Sequence, residues 1–490
     1  MPEVAVDQQF RLRVADRADD QDCCQTKDSR AHLDFLLLHR ASIQPNVRWM
    51  GRHGVRIVAK SRFQFNTYQQ SIRVVRCFFC GSGVAALTLG MAWRLRAPYE
   101  CGRMPGMDRV AAFKRSLPDL SAAFAAVDAV IAGAIDAGGA VPDVAWRAIA
   151  EGRAPGDLPD LIRRRGCVVI RGVFNRAQAT DWDGAIAAYL AANDAEARAR
   201  AARPGRWGDG PPQILSVYWS RPQIEARQSP ELAAVRAWLN RLWRAGGAFD
   251  PDRECCYADR VRRRTPGDAT LGLGPHIDGG ASGRWLDAAQ RATYRAVFAG
   301  DPLAFDPFEA AGRAAPGGED ANACKMFRTW QGWTALSAQG PGDGTLRVLP
   351  VARAIAWVLL RPLLADVAAE SLGGAEAARA LWITPALHGP LLRGLVPIPP
   401  VEPGDTVWWH PDLIHAVEVR HDGTRPSNVM YIAAAPDCPR NRAYLAPQLA
   451  AFRDGRSPPD FPAEDLEIGF AGRAGPDMLS ALGRRQMGLD

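Results

Sequence analysis

From residue 255 onward the chain breaks into short β-branched and aromatic runs, separated by turns rich in glycine, proline and aspartate. "RVRRRTPGD" leads into "GLGPHIDGG". Then follow "MFRTWQGWTALSA", "QGPGDG", "TLRVLPV", "GDTVWWH", "IHAVEV", "HDGT" and "SNVMYIAAA". Many short strands joined by such turns argue for a sandwich or a closed barrel with helices packed outside. Two longer stretches, 284–323 and 351–398, read as helical or loop insertions. Upstream, 107–254 is mainly helical. "SLPDLSAAFAAVDAVIAGAIDAGG" places Leu120, Phe124, Val127, Ile131 and Ile135 on one helical face, with Ser116 or Asp119 as cap and Gly138-Gly139 as stop. "RGCVVIRGVF" reads as a strand, and "DWDGAIAAYLAA" and "SPELAAVRAWLNRLW" read as helices. The fold class expected is α+β.

Within "GLGPHIDGG", His276-Ile277-Asp278 offers an imidazole and a carboxylate two residues apart. On a strand, residues i and i+2 project to the same side, so both can face a barrel interior. Gly274, Gly279 and Gly280 let the chain bend beside them. Downstream, "GDTVWWHPDLIHAVEV" supplies His410 and His415. One carboxylate and two imidazoles fill one face of an octahedral metal and leave three positions open, as in non-haem Fe(II) oxygenases. The spacing leaves open which of His410 and His415 completes the set. His388 and His421 lie in loop-like sequence and are expected to be solvated. Trp285, Trp330, Trp333, Trp408 and Trp409 are expected to serve as core and lid packing.

Charge narrows the function classes. The chain carries 60 Lys+Arg against 53 Asp+Glu, with a pI of about 9.0. The first 106 residues hold 16 basic and 9 acidic side chains, so the remaining 384 carry 44 of each sign. A neutral main body gives no electrostatic footprint for nucleic acid. Five of the ten cysteines also lie in residues 1–106. "MPEVAVDQQF" lacks the basic and apolar regions of a signal peptide, so reduced thiols and a cytoplasmic protein are expected. Cys77-Phe-Phe-Cys80 has no second metal-binding pair nearby and reads as incidental. The uncharged run 77–93 contains three glycines and is short for a membrane span. Residues 1–106 are read as an atypical extension, with translation starting near Met104 or Met107. No GxSxG elbow, Walker loop or dinucleotide-binding glycine pattern stands in suitable context.

Taken together, "GPHIDGG…RW", "FRTWQGWTALS", "GDTVWWHPDLIH" and "NVMYIAAAP" resemble the YbiU-like family, uncharacterised proteins of the iron- and 2-oxoglutarate-dependent oxygenase superfamily. "YWSRPQIEARQSPE" and "YADRVRRRTPGD" extend the resemblance, which runs from about residue 110 to the C-terminus. It implies a double-stranded β-helix, a jelly-roll or cupin-like barrel, over 255–490, with helices flanking it and inserted at 284–323 and 351–398. It implies Fe(II), 2-oxoglutarate and O2 as cofactor and co-substrates, with His276 and Asp278 as metal ligands. The "WWHPDLIH" block also resembles phytanoyl-CoA-hydroxylase-type oxygenases, which implies His415 as the third ligand and His410 as a supporting residue.

Such an enzyme needs a cation for the distal carboxylate of 2-oxoglutarate. Arg425, with Ser427 two residues on, has the spacing many of these oxygenases use. Arg328 is the rival, and Arg264 a weaker one. The expected activity is hydroxylation of an unidentified small molecule, with succinate and CO2 released and neither nucleic acid nor membrane as partner. The alternative is a barrel that binds a small molecule without redox chemistry.

Overall fold

The computed structural model describes residues 105–207, 210–270, 273–314 and 325–489, together with the backbone of the short strands Phe63–Phe65 and Tyr68–Gln70. Those two strands pair antiparallel within a unit spanning Met1–Glu100, and a second unit, Cys101–Asp490, holds every other element. Cys77, Cys80, the apolar run 77–93 and Met104 lie outside the described residues, while Met107 lies in the first helix. Among the described residues no helix is long and apolar enough to cross a membrane.

Two helices open the second unit, α1 (Pro105–Arg115) and α2 (Ser121–Asp136). Asp119 Oδ1 accepts from the Ser121 backbone N–H at 3.0 Å and closes the entry to α2, as the capping signal suggests. Leu120, Val127 and Ile131 are buried, with Phe124 and Ile135 half-buried on the same face. The helix stops at Asp136, ahead of Gly138 with φ +65°.

The chain then lays down β1 (Asp143–Ala145), β2 (Cys167–Arg171), α3 (Arg176–Ala192), β3 (Ile214–Leu215) and α4 (Pro230–Asn240). Asn175 and Ser229 cap α3 and α4 by accepting from the backbone of Ala177 and Leu232. The strands after residue 255 are β4 (Val261–Arg264), β5 (His276–Ile277), β6 (Trp330–Ala335) and β7 (Leu346–Val348). After helix α5 (Ala354–Leu360) come β8 (Leu381–Trp382), helix α6 (Pro385–Leu392) and β9 (Val396–Pro397). Then come β10 (Thr406–Trp409), β11 (His415–Val417) and β12 (Ser427–Ala434), while a short strand Pro436–Asp437 pairs separately with Asp250–Glu254.

The numbered strands form two mixed-order sheets. A seven-stranded sheet runs β1-β2-β10-β6-β12-β4-β3, antiparallel except between β1 and β2. A five-stranded sheet runs β8-β5-β11-β7-β9, antiparallel throughout. From β4 to β7 the chain changes sheet at every strand, and it does so again from β9 to β12.

Side-chain alternation divides the core into layers. Val169, Val407, Trp409, Trp333 and Val429 of the larger sheet meet Leu346 and Val348 of the smaller one in a single interior cluster. The opposite face of the larger sheet, with Ile170, Trp408, Trp330 and Ile432, packs on Trp182 and Ile186 of α3 and Leu232, Val235 and Leu239 of α4. Ile277 and Leu381 on the smaller sheet's other face pack with Val127 and Ile131 of α2 and with α5. Both faces are covered, which is why β2 reads "CVVIR" rather than alternating. Each fully buried aliphatic side chain in these layers contributes roughly 1.5–3 kcal/mol. Gly332 in β6 is required by close approach: a Cβ there would lie 2.5 Å from the Val407 carbonyl and 2.9 Å from the Trp408 indole.

The 351–398 stretch differs from a purely helical or loop insertion. It contains α5 and α6, but β8 and β9 also form the two edges of the smaller sheet. Strands of two residues show no alternation in sequence. Pro397 is tolerated because an edge strand needs no ladder donor on its outer side.

Candidate metal centre

Directly opposite residues on β5 and β11 are His276 and His415, with ring centroids 4.3 Å apart. Asp278 follows β5 by one residue, before Gly279 at φ +77° and Gly280 at φ +26° turn the chain away. The ligand atoms of His276, Asp278 and His415 all lie within 4.8 Å of one another. His276 Nε2 is 3.4 Å from Asp278 Oδ1 and His415 Nε2 is 3.6 Å from Oδ2. Two ligands about 2.1 Å from one metal at right angles stand roughly 3 Å apart, so small side-chain movements suffice to bind one ion.

The remaining ring nitrogens are already used. His276 Nδ1 bonds the Gly274 carbonyl at 2.7 Å and His415 Nδ1 bonds the Leu413 carbonyl at 3.0 Å. A carbonyl accepts only, so Nδ1 carries a proton in both rings and each Nε2 is the atom directed toward Asp278. Gln331, on the inner face of β6, donates from Nε2 to Asp278 Oδ2 at 2.8 Å and orients the carboxylate.

Burial pushes the Asp278 carboxyl up, but the hydrogen bond from His276 and the charges of His415, His276 and Arg328 outweigh it and hold it well below the usual carboxylate range. Burial lowers His415 to about 4, aided by the neighbouring His276 charge. Burial also disfavours the His276 cation, yet the Asp278 carboxylate reverses the balance and raises its pKa. The donor set is thus one carboxylate and two imidazoles, the set that holds non-haem iron facially. The Asp278 side chain is 38% exposed, so the cluster is open on one side. There Trp382, opposite His276 in the β8–β5 register, places its indole 5.4 Å from the His276 ring and stays 44% exposed.

His410 has a different environment. It is fully buried, stacked on Trp243 at 4.9 Å, with Nε2 on the Pro307 carbonyl at 2.9 Å and Nδ1 accepting from the Asp412 N–H at 3.0 Å. Both nitrogens are occupied, so the structure does not bring His410 to the cluster. Trp285, Trp330, Trp333, Trp408 and Trp409 are all buried.

His388 and His421 correct the expectation of solvated rings: both are buried, at 2% and 0% exposure. His388 Nδ1 accepts from the Thr384 N–H at the start of α6, and His421 Nδ1 accepts from the Gly423 N–H. A turn-forming stretch buries an imidazole when the ring satisfies the turn's own backbone.

The candidate cations lie in different places. Arg425 is exposed on the turn before β12. Ser427 is fully buried and its hydroxyl donates to Gln339 Oε1 at 2.7 Å. Arg328 precedes β6, lies over the Tyr257 ring at 4.9 Å, and is close enough to lower the pKa of both Asp278 and His415. Arg264 is buried, and its guanidinium is spent on the carbonyls of Gly344, Glu418 and Asp268.

A further arginine lies inside. Arg262 pairs directly with Val429 across β4 and β12, and Val429 belongs to the interior cluster, so Arg262 shares that inner face. It is 1% exposed and donates to the Gly344 carbonyl at 2.7 Å, and its Nε has no partner. Among the described residues no carboxylate pairs with it. Tyr431 stands on the same face, opposite Trp333. The sequence signal was present: in "RVRRRT" two arginines recur with the period of a strand, on the side that faces inward. Gln331 carried no comparable signal.

The chain was compared with known proteins. The family model described as Gig2-like matches residues 109–489. Uncharacterized protein YbiU of Escherichia coli (strain K12) is 41% identical over 359 residues, covering 71% of this chain and 85% of the relative. The crystal structure of a hypothetical protein, JW0805, from Escherichia coli aligns with a TM-score of 0.69 at 37% identity, over 80% of this chain and 98% of that one. GlcNAc Inducible Gene 2 from Candida albicans aligns with a TM-score of 0.64 at 26% identity, over 79% of this chain and 86% of that one. The expected likeness to YbiU is thereby borne out, and the chain belongs to the Gig2-like family.

Proposed function

We propose that this protein is an Fe(II)- and 2-oxoglutarate-dependent dioxygenase of a small molecule, built on a double-stranded β-helix. The observation that carries the reading is the convergence of His276, Asp278 and His415, with both Nδ1 atoms engaged and both Nε2 atoms facing the carboxylate. The change of sheet at every strand from β4 to β7, and again from β9 to β12, supports the barrel. Bound Fe(II) with 2-oxoglutarate and O2 would supply the oxidant for hydroxylating an unactivated C–H bond, with succinate and CO2 as by-products.

The chain's own residues would divide the work as follows. His276, Asp278 and His415 hold the metal, and Gln331 fixes the Asp278 carboxylate. Arg262 and Tyr431 receive the distal carboxylate of 2-oxoglutarate, because a buried guanidinium without an anion is costly and a carboxylate satisfies it. Burial raises the Tyr431 phenol pKa, so it remains a hydrogen-bond donor at neutral pH. Trp333, Trp409, Val407 and Val429 line a dry interior. Trp382 offers substrate an indole face on the open side. A neutral body and the absence of a membrane-length helix among the described residues fit a cytoplasmic enzyme of a small molecule.

Aerobic incubation with Fe(II) and 2-oxoglutarate tests the reading even without the substrate. Slow uncoupled turnover should release succinate, and Asp278→Ala should abolish it. Stoichiometric binding of metal with no succinate from wild type would contradict it and favour a binding barrel without redox chemistry.

A further inference from the structure

Behind the metal cluster lies a second buried polar group, centred on Asp412. Its side chain is 3% exposed, and those of Arg284 and Arg313 are 4% and 9% exposed. Arg313 Nη2 donates to Oδ2 at 2.6 Å, and the Tyr294 hydroxyl lies 2.9 Å from Oδ1 and 3.0 Å from Oδ2. Arg284 Nη2 reaches Oδ1 at 3.3 Å. Burial opposes the Asp412 carboxylate, but the Arg313 and Arg284 guanidinium groups override it and keep it ionised far into acid.

Arg284 also faces the other way. Its Nη2 donates to the Asp278 carbonyl at 2.8 Å and its Nη1 donates to the Gly279 carbonyl. One guanidinium therefore ties the backbone of a metal ligand to Asp412. Asp412 in turn sits in "HPDLIH", where its N–H is held by His410 Nδ1 at 3.0 Å, and the next residue, Leu413, supplies the carbonyl that orients His415. The two halves of the cluster come from distant parts of the chain. Beside the pairing of His276 with His415 and the bond from the Val417 N–H to the Leu273 carbonyl, this ion pair is a polar bridge between their loops. Burying one carboxylate against two arginines costs desolvation that apolar side chains of similar size would avoid.

We propose that Asp412, acting through Arg284, is a positioning residue of the metal centre: it fixes the distance between the Asp278 turn and the His415 strand. The proposal rests on the metal-centre reading and deepens it. It also makes the first part of the 284–323 stretch, residues 284–313, part of the site, since Arg284, Tyr294 and Arg313 lie there. That gives the stretch a role in holding the metal as well as any role in lining a pocket.

Co(II) is the probe, because its visible absorption reports both occupancy and coordination geometry. Full-length protein freed of metal would be titrated anaerobically as wild type, Asp412→Asn, Arg284→Lys and Asp306→Asn. Asp412→Asn and Arg284→Lys should each weaken Co(II) binding by about 10–100-fold and alter the spectrum, as loss of groups supporting a ligand does elsewhere. Lysine keeps the charge but is a single point donor that cannot span two carbonyls and a carboxylate. Asp306 pairs with Arg163 and Arg244 and has no hydrogen bond or ion pair to the ligand loops, so Asp306→Asn should leave affinity within about twofold. Arg284→Lys decides the matter alone if Asp412→Asn does not fold.

Wild-type affinity and an unchanged spectrum in Arg284→Lys would overturn the proposal while the metal centre stands. Equal weakening by Asp306→Asn would also overturn it, by tracing the effect to general destabilisation. A wild-type protein that takes up no Co(II) would overturn the metal centre and this proposal together.

Discussion

His410 and His415 stand five residues apart, one just past β10 of the larger sheet and the other opening β11 of the smaller, and their surroundings differ. His410 packs among Trp243 and Phe308, and both of its nitrogens are bonded to backbone. His415 points in, with one nitrogen bonded and the other turned to Asp278. Burial is nearly equal, at 0% and 5% exposure, so burial does not separate them. What separates them is the unspent lone pair. A buried polar group whose bonds are complete is structure, and one left with a directed, unused atom is a binding site.

A milder contrast separates Arg264, whose guanidinium serves three backbone carbonyls, from Arg262, which bonds the Gly344 carbonyl and pairs with no carboxylate among the described residues; the Nε of both is unpartnered.

The strongest way to break the contrast is at the ligands. Asp278→Ala should reduce Fe(II) affinity by at least about a thousandfold, since it leaves two imidazoles where three ligands converged. Equilibrium dialysis under argon measures it. The next effect is at the cation: Arg262→Met should raise the 2-oxoglutarate Kd roughly 30–1000-fold, as loss of one partner of a buried charge pair does, while Arg425→Ala should change it by less than about threefold. A larger loss in Arg425→Ala would return the cation to the turn before β12.

A smaller effect sharpens the histidine pair. His410→Ala should cost about 2–4 kcal/mol in urea unfolding, by losing the Trp243 stack and leaving the Pro307 carbonyl and Asp412 N–H unpaired. His415→Ala should cost less stability and abolish metal binding. The two variants should therefore exchange ranks between the stability and affinity assays.

The smallest effect is on pH dependence. Burial holds His410 near 3 and His388 near 4, against about 6.5 unfolded. Between these values the unfolded chain binds protons that the fold refuses, so both residues make stability fall as pH drops below about 6.5, by up to roughly 1.4 kcal/mol per pH unit each. Glu254 and Glu467, raised by burial to about 7, act in the opposite sense: the fold keeps protons that the unfolded chain releases above its ordinary value of 4.5, so their contribution falls as pH rises from there toward 7. His410→Gln should flatten the acid limb of a urea-midpoint profile between pH 6.5 and 4, and Glu467→Gln should remove its share of the fall in stability as pH rises from 4.5 toward 7.

Much of this was legible in the sequence because it is periodic. The stretch 427–434 and the "CVVIR" run identify themselves as strands by β-branched content, and Leu232, Val235 and Leu239 identify a helical face. His276 and Asp278 were legible because two-residue spacing on a strand has a fixed geometric meaning. The rest depended on tertiary pairing. Nothing local distinguishes His388 or His421 from a solvated loop residue, since the partner is a nearby backbone N–H reached only through the turn's final shape. The link from Arg284 to Asp412 joins positions 128 residues apart and has no pattern to read. Arg425 matched a familiar spacing, whereas Arg262 reached the interior from the neighbouring strand, which only the β4–β12 register reveals.

The most direct measurement is an anaerobic titration of Fe(II) followed by 2-oxoglutarate, monitored for the weak visible metal-to-ligand charge-transfer band, with Asp278→Ala alongside. The account requires the band to grow to one equivalent of each in wild type and to be absent in the variant. Iron uptake without a band would remove 2-oxoglutarate from the account. A band of equal strength in Asp278→Ala would contradict the assignment of the metal to His276, Asp278 and His415.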